Sequence, residues 1–222
     1  MKRRKFLIGW PLRDSKRYRF AIPNKIWKYK LKPIEFIIFS YLCHCRSNQP
    51  TGIISPDDIA RDVSVTAGTV KKYLSALISR GLVSAYLSPT SYLQCGSNEK
   101  FFTLTNEIFL LELPPSAFTV YAYLLLIEDR KRRTCHPSYN TISTATGMSK
   151  NTALKSIGVL LEAGLITVEP SSYFDKHGMK WKGNNLYTIL PIHSTVDIFH
   201  QRQLRKLELD VARSQLAAQT AV

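Results

Sequence analysis

The residues in this sequence best placed for chemistry are hydroxyls, amides and lysines at helical spacing. In "SKNTALKSIGVLLEAGLITVE", residues 149–169, the periodicity predicts a helix with a core stripe of Ala153, Ile157, Leu160 and Leu161. Removing that stripe leaves Ser149, Lys150, Asn151, Thr152, Lys155 and Ser156 facing outward, with no acid before Glu162. Asn pairs bidentately with adenine, Lys donates to guanine O6 and N7, and Thr reaches a thymine methyl or a phosphate. An earlier stretch, "TAGTVKKYLSALISRGLV", has Val70, Leu74, Leu77 and Ile78 as its stripe. It presents Thr66, Gly68, Thr69, Lys71, Lys72 and Ser75 outward. Ala67 and Gly68 allow close backbone approach but read little, so this helix is expected to lean on phosphates.

Charge points to the same kind of partner. The net charge is +15, and residues 1–32 hold twelve Lys and Arg against the single acid Asp14. A basic arm ahead of a near-neutral body fits a polyanion, because Lys and Arg release counterions from a phosphate backbone. Arg3, Arg4 and Lys5 are expected to reach into a minor groove. The basic loop "DRKRR" supplies Arg130, Lys131, Arg132 and Arg133, expected on the nucleic-acid backbone beside the reading helix. Lys176, Lys180 and Lys182 cluster on a later hairpin, whereas the earlier one offers mainly Lys100.

Other chemistries lack their parts. There is no G-x-x-x-x-G-K-[ST] run to cradle a nucleotide and no G-x-S-x-G elbow. His44, His136, His177, His193 and His200 are scattered, without the paired histidines and nearby tyrosine of a rolling-circle nuclease. Cys43, Cys45, Cys95 and Cys135 follow no disulfide or zinc spacing, since "CHC" lacks the spacer a zinc knuckle needs. No enzyme activity, cofactor, metal or small-molecule substrate is therefore expected. No apolar run approaches the ~18 residues of a membrane span. "MKRRKFLIGW" begins like a signal peptide, but its apolar run is too short. A cytoplasmic, nucleoid-associated setting is expected.

The elements that must position these residues recur. At an offset of 82, "IPNKIWKYKLKPIEFIIFSYL" lies over "LTNEIFLLELPPSAFTVYAYL", matching Asn24 with Asn106, Trp27 with Phe109, and Phe36 with Phe118. At an offset of 83, "VSVTAGTVKKYLSALISRGLV" lies over "TGMSKNTALKSIGVLLEAGLI", matching Thr69 with Thr152 and Gly81 with Gly164. Each unit reads as a short extended entry, a helix from Pro33 or Pro115, and a short helix capped by Ser55 or Ser138. A longer helix follows, capped by Thr66 or Ser149 and stopped by Gly81 or Gly164. Two strands close each unit: "LVSAYL" with "FFTL", and "LITVE" with "LYTIL".

That order resembles the winged helix-turn-helix. The pieces "ISPDDIARDVSVTAGTVKKYLSALISRGLV", "TISTATGMSKNTALKSIGVLLEAGLI" and "GNNLYTI" are similar to helix-turn-helix regulators and to winged-helix replication initiators of bacterial plasmids and conjugative elements. The fold expected is mainly α with small β-hairpins (α+β): two tandem winged helices related by internal duplication. The divisions are a basic arm (1–21), domain one (22–104), domain two (105–191) and a C-terminal helix or tail (192–222). The resemblance implies sequence-specific binding of double-stranded DNA, as a transcriptional regulator, a mobile-element replication initiator, or a winged-helix protein-interaction module. Leu204, Leu207 and Val211 give the last segment a weak stripe, expected to pair two copies as a homodimer, to pack on domain two, or to fray as a tail.

Overall fold

A computed structural model describes residues 19–48, 54–84 and 100–220. The chain is mainly helical, with three small antiparallel sheets among these residues. Arg3, Arg4, Lys5, Cys95 and most of "LVSAYL" lie outside the described set.

The entry segment is a strand followed by a 3-10 turn rather than simply extended chain. Strand β1 (Arg19–Pro23) leads into the turn Asn24–Tyr29, then α1 (Pro33–Asn48), α2 (Pro56–Asp62) and α3 (Ala67–Ser79). The second run repeats this as β2 (Phe101–Thr105), the turn Asn106–Leu111, α4 (Pro115–Ile127), α5 (Tyr139–Thr146) and α6 (Lys150–Glu162). A two-residue strand missed in the sequence, β3 (Thr134–Cys135), precedes α5. Strands β4 (Ile166–Glu169), β5 (Ser172–Phe174), β6 (Lys180–Lys182) and β7 (Leu186–Ile189) follow, and α7 (Ile192–Thr220) ends the described chain.

Local rules explain the boundaries. Ser55, Thr66, Ser138 and Ser149 each accept the N–H three residues on, satisfying a donor the helix start leaves open. Ser55 and Asp58 complete a capping box. Gly81 (φ 67°) and Gly164 (φ 71°) stop α3 and α6 in the left-handed region, where glycine avoids a Cβ clash. Lys30 and Glu112, also an offset of 82 apart, take left-handed φ of 45° and 50° after the two 3-10 turns.

The two runs meet around a local two-fold relation. Strands β1 and β2 pair antiparallel with Ala21 opposite Thr103, themselves 82 residues apart. Phe20 opposite Leu104 mirrors Ile22 opposite Phe102. The aromatic contacts obey the same exchange. Trp27 packs edge-on against Tyr123 at 5.6 Å, and Phe109 against Tyr41 at 5.3 Å. Trp27 lies 4.8 Å from Phe36, and Phe109 lies 5.5 Å from Phe118. Phe36 and Phe118 meet each other at 6.1 Å. Helices α1 and α4 pack together here, so one continuous core serves both runs.

The relation breaks where polar groups are buried. His44 Nδ1 lies 3.0 Å from Asn106 Oδ1 across the interface. Leu126 holds the place equivalent to His44, and Asn24 Oδ1, equivalent to that of Asn106, is buried with no hydrogen-bond partner among the described residues. Desolvation lowers the pKa of His44 below its ordinary 6.5, outweighing the bond to Asn106. The unfolded chain then binds a proton that the native chain resists, so stability rises with pH up to about 6.5 and falls as pH drops below it. His44→Leu should flatten that acid-side loss in denaturant midpoints read between neutral and mildly acid pH. An unchanged slope would remove His44 from the pH dependence.

Glu35 supplies another one-sided contact. Its Oε2 accepts Lys32 N–H at 2.9 Å and meets Arg80 Nη1 at 3.3 Å, while Arg80 Nη2 donates to Tyr29 O at 2.5 Å. The end of α3 is thereby tied to the start of α1. Ala117 and Ala163 stand at the equivalent places in the second run.

Candidate nucleic-acid interface

Helix α6 packs on α4 and α5 through Ala153, Ile157 and Leu160, all buried. Three sequence expectations are corrected here. Ser156 is only 2% exposed, because it lies on the side of α6 between Ala153 and Leu160 and not on the open face. Leu161, expected in the stripe, is 42% exposed; an i+8 position has rotated to the edge of the buried arc. In α3, Val70, Leu74 and Leu77 are buried, but Ile78 is exposed for the same reason.

The open face of α6 carries Lys150, Asn151, Leu154 and Lys155. Leu154, 49% exposed, was missed by the sequence reading; its mismatch with the stripe was the available signal. At Gly158 an added Cβ would meet no atom within 4 Å, so the face stays open into the third turn. The expected hydroxyls have a local job as well. Ser149 Oγ and Thr152 Oγ1 are 2.8 Å apart, and Ser149 Oγ accepts Thr152 N–H at 3.1 Å. They fix where α6 begins, which aims Lys150 and Asn151.

The start of α6 opens onto a cleft of about 160 Å³. Ser138, Tyr139 and Asn140 from the start of α5 line it, with Lys150, Asn184 and Asn185. Asn185 Nδ2 donates to Tyr139 Oη at 2.9 Å, holding the approach to β7 against α5. Tyr187 forms part of the wall, and burial pushes its pKa up to about 12. Two helix starts carry partial positive charge, and Lys150 adds a full one, so the cleft suits an anionic oxygen. Asn140, Asn184 and Asn185 were not singled out from the sequence, which held no periodic signal for them.

Strands β3, β7 and β4 form a sheet in that order, and its β4–β7 hairpin extends into the β5–β6 ribbon. Lys176 and Lys180 are exposed on the ribbon, and Lys182 follows in β6. The basic loop is held at one end of this sheet. Asp129 Oδ1 accepts Lys131 N–H, and Arg133 O accepts Ile189 N–H at 2.8 Å. Arg130, Lys131, Arg132 and Arg133 are therefore exposed at the Ile189 end of the sheet, where α6 has ended and β4 begins. At about 3.4 Å per residue, Asn185 lies roughly 14 Å away along β7. The structure does not bring this loop to the start of α6.

Residues 111–166 match the family model described as a helix-turn-helix domain. The match runs from the end of the second 3-10 turn through α6, which makes α5 and α6 its paired helices. A solved structure described as a "possible transcriptional regulator" from Methanosarcina mazei Go1 is similar at 16% identity and a TM-score of 0.34. That similarity covers 54% of this chain and 94% of that one. No curated protein matches.

The equivalent face of α3 exposes Thr66, Gly68, Lys71, Lys72 and Ser75, with Thr69 half-buried. Thr66 and Thr69 form the same hydroxyl pair at 2.8 Å. Lys72 Nζ stands 5.8 Å from the centre of the Tyr73 ring, and Ser75 Oγ donates to Lys71 O. The first turns of α7 dock on the second unit: Ile192, Thr195 and Val196 are buried, and Thr195 Oγ1 donates to Gly164 O at 2.9 Å. Beyond them Leu204, Leu207 and Val211 are exposed. No described helix is long and apolar enough to cross a membrane.

Proposed function

We propose that this chain binds double-stranded DNA sequence-specifically as a transcriptional regulator, with α6 as its principal reading helix. One observation carries the reading. Lys150, Asn151 and Lys155 are exposed on the first half of the second helix of the matched motif, and no carboxylate precedes Glu162. The second helix of a helix-turn-helix enters the major groove by its N-terminal part, where such side chains meet base edges. The cleft beside Lys150 then receives a backbone phosphate. Lys176, Lys180 and Lys182, the loop Arg130–Arg133 and the arm residues Arg3, Arg4 and Lys5 add non-specific attraction.

The proposal includes an ancestral duplication at an offset of about 82 residues, the first unit opening at β1 and the second at β2, with an arm before and a helix after. Support comes from the offset-related caps, left-handed residues and aromatic pairs. A two-fold relation between α3 and α6 reverses the direction of reading, so the preferred site consists of two inverted, unequal half-sites. Selection of bound duplexes from a random pool tests this. An inverted pair is expected; a lone half-site would remove the two-headed reading, and a direct repeat would remove the two-fold arrangement of the heads.

The tandem arrangement also fits a replication initiator. Footprints over repeated sites beside an origin would favour initiation, and one operator at a promoter would favour regulation.

A further inference from the structure

The β5–β6 ribbon is built for more than phosphate contact. Phe174 is 68% exposed, Met179 56% and Trp181 51%, three large apolar side chains within eight residues. Single exposed apolar residues are ordinary, but a cluster on one hairpin marks a contact surface. The register sets Phe174 opposite Lys180, and strand alternation puts Trp181 on the other face of the ribbon. Both faces therefore present an apolar group.

The ribbon's charge says what meets those groups. Across residues 170–189 the sole acid, Asp175, stands against Lys176, Lys180 and Lys182. That acid is already engaged. Trp181 Nε1 donates to Asp175 Oδ2 at 2.9 Å, and the N–H groups of His177 and Met179 donate to Oδ1 at 2.9 and 3.0 Å. The Trp181 bond, followed by that from Met179, holds the carboxyl below the usual carboxylate range. The indole is thus anchored by its nitrogen while half its surface stays open.

The ribbon's base is equally defined. Gly183 N–H donates to Ser171 O at 2.8 Å, and an added Cβ at Gly183 would stand 2.4 Å from Ser171 Oγ. Gly183 and Asn184 also line the cleft beside Lys150, so the ribbon rises from the edge of the proposed reading site.

We propose that this ribbon is a wedge for destacked bases: Phe174, Met179 and Trp181 enter an opened base step of the bound DNA while Lys176 and Lys180 sit on the flanking phosphates. Apolar wedges of this kind unstack duplex steps, and aromatic rings stack on any exposed base. The inference rests on the DNA-binding reading above.

The test uses the full chain, a fluorescein-labelled duplex of arbitrary sequence, and the same duplex with a small unpaired bubble. Anisotropy titrations over a salt series should show tighter binding to the bubble by about tenfold, the scale of stacking on one or two bases. The Phe174→Ser/Trp181→Ser variant should lose that preference yet bind the paired duplex with the wild-type salt slope. Leu207→Ser, which alters an exposed apolar residue on α7, should keep it. Equal affinity of the native chain for both duplexes, or a preference that survives the double variant, overturns the wedge and leaves duplex binding standing. Salt-independent or absent binding to both overturns the DNA reading itself. Binding to neither probe together with double-variant-sensitive self-association would assign the ribbon to a second copy of the chain.

Discussion

Phe118→Ala should lower unfolding stability by about 3–5 kcal/mol, the usual cost of emptying a buried aromatic site. Phe118 is 1% exposed and packs against Phe109 from its own run and Phe36 from the other. Because α1 and α4 share this core, the loss should not stay within one unit. Far-ultraviolet circular dichroism and the fluorescence of half-buried Trp27 should report one shifted transition in denaturant. Phe174→Ala, on the exposed ribbon, should stay within about 0.5 kcal/mol of the native chain. Two separated transitions, with only one moved by Phe118→Ala, would mean that the units fold independently despite their contact.

Asn151→Ala should weaken binding to a selected duplex by about 1–3 kcal/mol and relax the preference at one base position, the loss expected for one bidentate pair. Lys150→Ala should act differently. If its ammonium lies on a phosphate in the cleft, affinity falls across all sequences and the slope of log affinity against log salt shrinks by about one unit. If it reaches guanine instead, the selected motif changes and the slope shrinks less. Isothermal or anisotropy titrations at several salt concentrations separate these outcomes. A selected motif untouched by both substitutions would remove α6 as the reading helix. Neither residue supports the core, since both are exposed, so protein stability serves as the control.

Much of the architecture was legible because short-range rules govern it. Ser55, Thr66, Ser138 and Ser149 announce helix starts, Gly81 and Gly164 announce stops, and the structure uses all six in those roles. The failures have physical causes. Ser156 is polar, and its small volume lets it sit where α6 packs tightly; binary patterning places it outside. Leu161 and Ile78 are apolar yet exposed, so hydrophobicity alone assigns them inward. Strand β3 has two residues, too few for any period to show. The cleft at Lys150 joins segments more than thirty residues apart, and no local pattern encodes that meeting. The pairing of β1 with β2 was hidden similarly, since "FFTL" carries no mark of its partner.

The two-fold relation through Ala21 and Thr103 has a consequence for how such a molecule changes over time. In a dimer of identical chains every substitution is made twice, once in each half, and both copies must tolerate it. Here the halves are covalently joined and separately encoded, so each substitution is felt once. His44 beside Asn106 can face Leu126 beside Asn24, and Glu35 with Arg80 can face two alanines. One half is free to specialise its surface while the other keeps the shared core filled. Joining also fixes the local concentration of each half around the other, whatever the abundance of the chain. On the proposed two-headed reading, occupancy of a two-part site follows the first power of concentration, with no assembly threshold between the halves.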